Sequence, residues 1–358
     1  MTPEPLFTFR PLHVPASIDD HDAGDFIGMT HARNTVFREI SGDDDENMTP
    51  AQLLPFFAPD PDGLRYTWVV LVDDQVVGRM LVDVPLEDGS AVAFWLIELI
   101  SAVHGRGIAR ALYPTIEDTA RTHGRTALQS WGEHHEPGAG HLDAPTGFGS
   151  IPLDRPARFF RNSGHALEQV VRKSALDLTG QADLSSMQTI VARGAQGYRI
   201  EQWTLPTPQA YEASYAYAKS RMSTDAPAAG LEVDEEVWDV ERLRRNDERY
   251  LASGRTVLVT AAVDEATGEV VAFNELVSGT DLAAATHQED TLVLREHRGH
   301  RLGMLVKSAG IVRWREIAPA SPRIITYNAE ENRPMLDINE ALGFVPVAYE
   351  GAWQKTLV

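Results

Sequence analysis

Two short stretches of this chain, His104-Gly105-Arg106-Gly107-Ile108-Ala109 and Arg298-Gly299-His300-Arg301-Leu302-Gly303, pose the same chemistry 194 residues apart. Each follows an extended apolar run, Ala93 to Ile100 in the first case and Thr291 to Leu294 in the second. Each then feeds a helix-like segment rich in Ala, Leu and Val. A strand that turns through a basic, glycine-containing corner into a helix leaves the first amide protons of that helix without partners and aims them at one point. Such a point attracts a phosphate or pyrophosphate. The repeat indicates an enzyme of small molecules that handles a phosphorylated cofactor.

Other residues of chemical type are open to two readings. Glu98 interrupts an apolar strand just before the first turn, where an ionised group is costly unless it is paired or faces a cavity. Trp131 closes a strand and serves either as a substrate wall or as core. Glu133, His134, His135 and His141 invite a metal, but neighbouring histidines on a strand point to opposite faces, so no metal is expected and the histidines read as lid or surface residues.

A chain of 358 residues is long enough for two domains of about 150–180 residues each. Its formal net charge of -20 opposes non-specific binding to nucleic acid or to an anionic membrane, so neither is expected as a partner. With no cysteine there is no disulfide and no thiol nucleophile, which fits a cytoplasmic location. No run of 18 apolar residues is present, and the N-terminus lacks the basic-then-apolar order of a signal peptide. The chain reads as a monomer or homodimer.

The elements that must position the two turns repeat in order. Tyr66 to Val72 and Gln75 to Val84 form a hairpin, Ala91 to Ile100 a strand, Ile108 to His123 a helix, and Thr126 to Trp131 a strand. Residues 133–156, with four Gly and four Pro, read as a long binding loop or lid. A helix from Pro156 to Ser163 stops at Gly164, and Leu167 to Val171 is the last strand. In the second half Tyr198 to Trp203 is a strand, and Pro208 to Arg221 and Val237 to Ala252 are helices. Thr256 to Val263 and Val270 to Val277 form a hairpin. Met304 to Ile317, Arg323 to Asn328 and Pro334 to Ala341 are then helix, strand and helix before Gly343-Phe344.

This order resembles the Gcn5-related N-acetyltransferase (GNAT) superfamily twice over, and the chain is similar to actinobacterial two-domain acetyltransferases of the mycothiol synthase type. The resemblance implies an α/β (α+β) fold of two tandem GNAT domains, residues 1–175 and 198–358 with a linker at 176–197. Each would be a mixed, mostly antiparallel sheet flanked by helices. It also implies that the turns hold the pyrophosphate of acetyl-CoA, with the pantetheine between two splayed strands. The first turn matches at Gly107 and Ala109 but has His104 where Gln or Arg is usual. The second matches at Arg298 and Gly303 but has Arg301 where Gly is usual; a negative φ there would aim its guanidinium at a phosphate, and a positive φ would impair the turn. Asn328, Asn332, Met335, Asn339 and Leu342-Gly343-Phe344 look like the family's closing motif, and Phe159-Phe160-Arg161-Asn162-Ser163-Gly164-His165 is its shorter parallel. The tyrosine acid of many relatives is replaced by Phe160 and Asn339.

By the same resemblance, main-chain groups of Leu99 to Val103 and of Leu292 to Leu294 serve the thioester carbonyl. A carboxylate takes the proton of the amine. Glu98 is the candidate base in the first half, with a role as partner of a buried arginine as the alternative, and Glu289 and Asp290 are the candidates in the second. Asp225 sits in an Asp-Ala-Pro patch that resembles an amine ligand. The expected function is transfer of acetyl from acetyl-CoA to a primary amine of a small molecule by direct attack in a ternary complex, with the second half favoured as catalyst. An acyl-CoA sensor without catalysis and a protein N-acetyltransferase are the alternatives.

Overall fold

The computed structural model describes residues 7–134, 140–179 and 184–357. Its first half runs β1 (Thr8–Pro11), α1 (Gly24–Ser41), α2 (Pro50–Leu53), β2 (Gly63–Val72), β3 (Gln75–Pro85), β4 (Val92–Leu99), α3 (Ile108–Thr122), β5 (Ala127–Glu133), β6 (His141–Asp143), β7 (Ser150–Pro152), α4 (Arg155–Asn162) and β8 (Ala166–Asp177). The second half runs α5 (Ser185–Arg193), β9 (Tyr198–Thr204), α6 (Glu212–Asp225), α7 (Val240–Ala252), β10 (Thr256–Asp264), β11 (Val270–Ser278), β12 (Thr286–Val293), α8 (Leu302–Ile317), β13 (Arg323–Ala329), α9 (Arg333–Leu342) and β14 (Val345–Thr356). Local chemistry sets several boundaries. Thr49 and Gln52 form a reciprocal capping box at the start of α2, and Asp154 accepts from the Ala157 amide to start α4. Asp73 and Asp74 both take positive φ, the twist a two-residue hairpin needs between β2 and β3.

Twelve strands form one sheet in the order β1-β2-β3-β4-β5-β14-β8-β13-β12-β11-β10-β9. Every neighbouring pair is antiparallel except β4 with β5 and β12 with β13. The closing strands of the two halves are exchanged. β14, from the end of the chain, pairs along β5 from Thr356↔Ala127 to Glu350↔Glu133, while β8 pairs along β13 from Arg323↔Asp177 to Ala329↔Val171. Between them β14 and β8 lie antiparallel and join the halves into one sheet.

The exchanged strands carry core with them. Trp353 and Leu357 belong to the first-half core beside Trp95, Leu112 and Phe160, whereas Leu176 and Leu178 pack in the second half with Trp314, Ile324 and Phe344. Trp353 is fully buried and stacks on Phe160 at 4.9 Å between ring centroids. Alternation along the strands separates the two faces. Asn274 lies against Gly310 of α8, whereas Glu275 bonds Lys219 of α6. Following the register from strand to strand puts Phe94, Gln129, Trp131, Glu350, Lys173, Tyr327, His287 and Glu289 on one continuous face, the face of α6.

The tandem, mixed α/β architecture is the one the sequence implies. Several stretches differ. The expected linker at 176–197 holds the end of β8 and the helix α5, and the loop at 133–156 holds the end of β5 and the hairpin of β6 and β7 with Ile151 fully buried. β12 begins five residues before Thr291, because a sequence such as Thr286-His287-Gln288-Glu289-Asp290 carries no apolar strand signal. His135 lies outside the described residues.

Because Trp353 comes from the second half yet fills the first-half core, Trp353→Ala is expected to destabilise the whole protein by about 3–5 kcal/mol. In chemical denaturation followed by circular dichroism, the variant should keep a single transition at lower denaturant.

Candidate active site

The two turns are built alike. After β4 and after β12 a single 3-10 turn, Ser101–Val103 or Arg295–His297, swings the chain into the corner. The leading side chain of each corner then reaches back to a strand carbonyl: His104 Nε2 lies 2.8 Å from the Leu99 oxygen, and Arg298 Nε donates to the Val293 oxygen at 3.2 Å. Gly105 and Gly299 have φ of 74° and 87°, and Gly107 and Arg301 have φ of 79° and 59°. The fourth position thus takes the left-handed conformation in both copies: the negative φ that would aim the Arg301 guanidinium at a phosphate is not found, and the expected impairment amounts to strain on the order of 1 kcal/mol in a turn that keeps the φ signs of the first. Neither α3 nor α8 has a side-chain cap, and nothing lies within 4 Å of where a Cβ on Gly105, Gly107 or Gly299 would be. Both corners therefore offer uncapped amides and open space, which fits a pyrophosphate.

Beyond the turns the parallel strands part. β4 pairs with β5 from Val92↔Ala127 only as far as Phe94↔Gln129, and β12 with β13 from Thr286↔Ile324 only as far as Gln288↔Thr326, so a wedge opens between the strand ends of each half. The halves differ here in one backbone feature. β12 carries a bulge, since the register with β11 passes from Asn274↔Thr291 to Leu276↔Gln288 and leaves Glu289 and Asp290 opposite Glu275. No such shift occurs between β3 and β4. The bulge releases backbone groups from the ladder and turns two adjacent side chains to the same face.

On that face an acid–base cluster is assembled. Lys219 of α6 donates to Glu275 and to Asp290, each at 2.9 Å, and the Tyr215 hydroxyl donates to Glu275. Burial works against the Lys219 charge, but Asp290 and Glu275 reverse the effect and hold its pKa well above the ordinary value. Glu275 is pushed up, chiefly by burial. Glu289 is pushed up as well, by the protein packed around its exposed carboxylate first and, against His287, by the Asp290 and Glu275 charges, and it has no ion pair among the described residues. Its side chain is solvent-exposed and lines a cavity of about 370 Å³ with His287, Arg255, Arg33 and Glu46.

That cavity is shared between the halves. The loop from α1 to α2 of the first half lies across the second-half face, with His287 Nε2 3.1 Å from the Asp45 oxygen, Arg323 on Asp43 and Asp45, and the Tyr327 hydroxyl donating to Glu46 at 3.0 Å. The return is symmetrical. The segment from α6 to α7 crosses the first-half face, where Asp234 accepts from the Ala91 and Val92 amides at 3.1 Å and Gln129 donates to the Glu232 oxygen at 2.7 Å. It encloses a cavity of about 290 Å³ lined by Phe94, Trp131 and Gln169.

Residues 29–142 match the Acetyltransferase (GNAT) family. Over 98% of both chains the structure superposes, at 25% identity and a TM-score of 0.73, on a tandem GNAT protein from the clavulanic acid biosynthesis pathway. Residues 29–142 thus carry a GNAT domain, and the whole chain has the fold of a tandem GNAT protein. A GCN5-related N-acetyltransferase from Sphaerobacter thermophilus shares the fold at 12% identity and a TM-score of 0.63, over 98% of this chain and 95% of that one. A putative acetyltransferase from Pyrococcus horikoshii does so at 11% and 0.56, over 99% and 90%. No curated protein matches. No helix among the described residues is long and apolar enough to cross a membrane.

Within this fold the candidate residues fall in different places. Glu98 is the partner of a buried arginine: Arg79 grips it with two bonds at 2.6 and 3.1 Å and is itself buried. Asp225 pairs with Arg221, Arg295 and Arg298 at 2.8, 3.5 and 3.4 Å, and its side chain is only 2% exposed. Trp131 is 40% exposed and lines the first-half cavity. Glu133 pairs with Lys173, His134 bonds Asp154 in the core, and His141 is exposed on β6. Asn332 precedes α9, Met335 lies in its first turn, and Asn328 ends β13 beside the second wedge. The sequence missed Lys219 and Glu275, whose charges read as helix surface and as a strand interruption. It also missed the covering loops, which come from the opposite half.

Arg106 and His300 occupy the same exposed position in the two turns. A carboxylate there repels a diphosphate without touching the core. In calorimetry with acetyl-CoA, His300→Glu is expected to weaken binding by tenfold or more if the second turn holds the pyrophosphate, and Arg106→Glu reports the first turn in the same way.

Proposed function

We propose that the second half is the catalytic one and transfers acetyl from acetyl-CoA to the primary amine of a small molecule by direct attack within a ternary complex. The observation that carries this reading is the β12 bulge, which sets Glu289 and Asp290 together between the second turn and a cavity of substrate size. In this reading Leu302 to Leu305 of α8, with Gly299 and His300, supply donors for the pyrophosphate, and the released β12 amides face the thioester carbonyl. Glu289, with its raised pKa and no cationic partner, takes the proton of the amine. Lys219 donates to Asp290 beside it. Acetyl-CoA supplies an acyl group activated as a thioester.

Composition of the wedge supports the same choice. On the helix side of the first wedge, Trp95, Tyr113, Phe159, Phe160 and His165 form a contiguous aromatic cluster, and a Cβ on Gly132 would meet Phe160 at 3.2 Å. The second wedge is lined by Gln288, Thr326 and Asn328. The amides of a pantetheine arm need partners of that polar kind. Asp44, Asp45, Glu46, Asp281 and Glu289 outnumber Arg33, Arg255 and His287 around the cavity, which favours a cationic acceptor. Such a cavity, closed over by the α1–α2 loop, suits a small molecule better than a peptide.

With a panel of small amines, thiol release from acetyl-CoA should identify an acceptor for the wild-type protein, and Glu289→Gln should lower kcat by about 100-fold or more. Activity requires the ionised carboxylate, so it should fall as pH drops through a pKa above the ordinary glutamate value of about 4.3. That acid limb should be absent from the residual activity of Glu289→Gln. Full activity of the variant would remove Glu289 from the reaction.

A further inference from the structure

Lys307 is a fully buried lysine without a carboxylate. It lies on α8, nine residues after Arg298, and its ammonium donates a single bond of 2.7 Å to Asn339 Oδ1 on α9. Asn339, 1% exposed, donates in turn from Nδ2 to Asn328 Oδ1, again at 2.7 Å. The orientation of this chain is dictated by its first member. An ammonium has only donors, so Asn339 must present its oxygen to Lys307 and its amide protons to Asn328, which must then present its oxygen inward. What remains is the Asn328 Nδ2 group. It has no hydrogen-bond partner among the described residues and belongs to a partly exposed residue two positions past the point where β12 and β13 separate.

An apolar residue would be cheaper at this place, and the other half shows the alternative. Tyr113 stands nine residues after His104, as Lys307 stands after Arg298, and Phe160 stands four before Gly164, as Asn339 stands before Gly343. There the pair is part of the aromatic cluster around Trp95. In the second half the same two positions carry an unneutralised cation and an amide aimed outward along one line. Burial alone lowers the Lys307 pKa, to about 7, and no charged group on α5, α9, β9, β10, β11 or β12, the elements packed against α8, contributes to the shift.

We propose that Lys307 is a positioning residue of the second-half site, acting through Asn339 and Asn328 so that the outward Asn328 amide donates to the sulfur leaving the thioester. This rests on the reading that the second half is catalytic. The acceptor nitrogen forms the C–N bond, the C–S bond breaks with its electron pair on sulfur, and the proton of the amine goes to Glu289. The polarised Asn328 N–H holds the thiolate until solvent protonates it. A positive charge at the buried inner end of the chain strengthens the donor at its outer end.

The test is steady-state kinetics across pH on the full-length protein with acetyl-CoA and an accepted amine. Lys307→Met keeps the side-chain volume and removes the charge; it should lower kcat 10- to 100-fold and leave KM for acetyl-CoA within about twofold. Wild-type kcat should decline as pH rises through about 7, where the ammonium is lost, and this limb should be missing in Lys307→Met. Asn328→Ala, which leaves the buried pair intact, should reproduce the loss of kcat. Stability gives a separate readout. The folded pKa lies below the unfolded value of about 10.4, so wild-type stability should rise between pH 7 and 10 from this group, and Lys307→Met should melt higher than wild type at pH 6. If Glu289→Gln is impaired while Lys307→Met and Asn328→Ala keep wild-type kcat and pH profile, this inference fails and the site assignment stands. If no variant in the second half alters turnover, both fail.

Discussion

Everything in this molecule is arranged around the exchange of closing strands. β14 completes the first-half sheet and β8 completes the second, so neither half has a full hydrophobic core made of its own consecutive sequence. Backbone groups along β5 and β13 would be unpaired edges without the partner half, and the stacked pair of Trp353 and Phe160 would lose one ring. This constraint fixes the relative position of the halves more firmly than a linker between two beads. It also makes the face shared by the two cavities continuous.

Once the halves are locked in that way, each can lend a loop to the other. The α1–α2 loop supplies Asp45 and Glu46 to the second-half face, and the α6–α7 segment supplies Glu232 and Asp234 to the first. The same repeat unit has then diverged in its interior. One copy has a regular β4 and an aromatic wedge. The other has a bulged β12, a lysine–carboxylate cluster and a wedge lined by amides and hydroxyls. On the proposed assignment, keeping both turns while changing what lies beyond them is how one fold gives a scaffold half and a chemical half.

How much of this could be read from the residues depended on the range of the interaction. The turns were legible because glycine spacing and the helix that follows are local, and the near-identical φ values of Gly105 and Gly299 follow from them. Tandem architecture was legible for the same reason, through the repeated order of hairpin, strand, turn and helix. Strand exchange was not, since β8 and β14 have the same composition whichever half they join. The pairing of Glu98 with Arg79 required a cross-strand register, and the arginine cage around Asp225 required α6 to dock beside the second turn. The bulge in β12 left no apolar signature because Glu289 and Asp290 are polar residues in a strand.

Central to the account is the claim that the donor lies along the bulged strand and the second turn. Amide hydrogen exchange with saturating acetyl-CoA tests it directly. The account predicts slower exchange for 289–293 and 298–305, where uncapped and ladder-free amides acquire partners. Protection confined to 93–109, with 289–305 unchanged, would place the donor in the first half and contradict it.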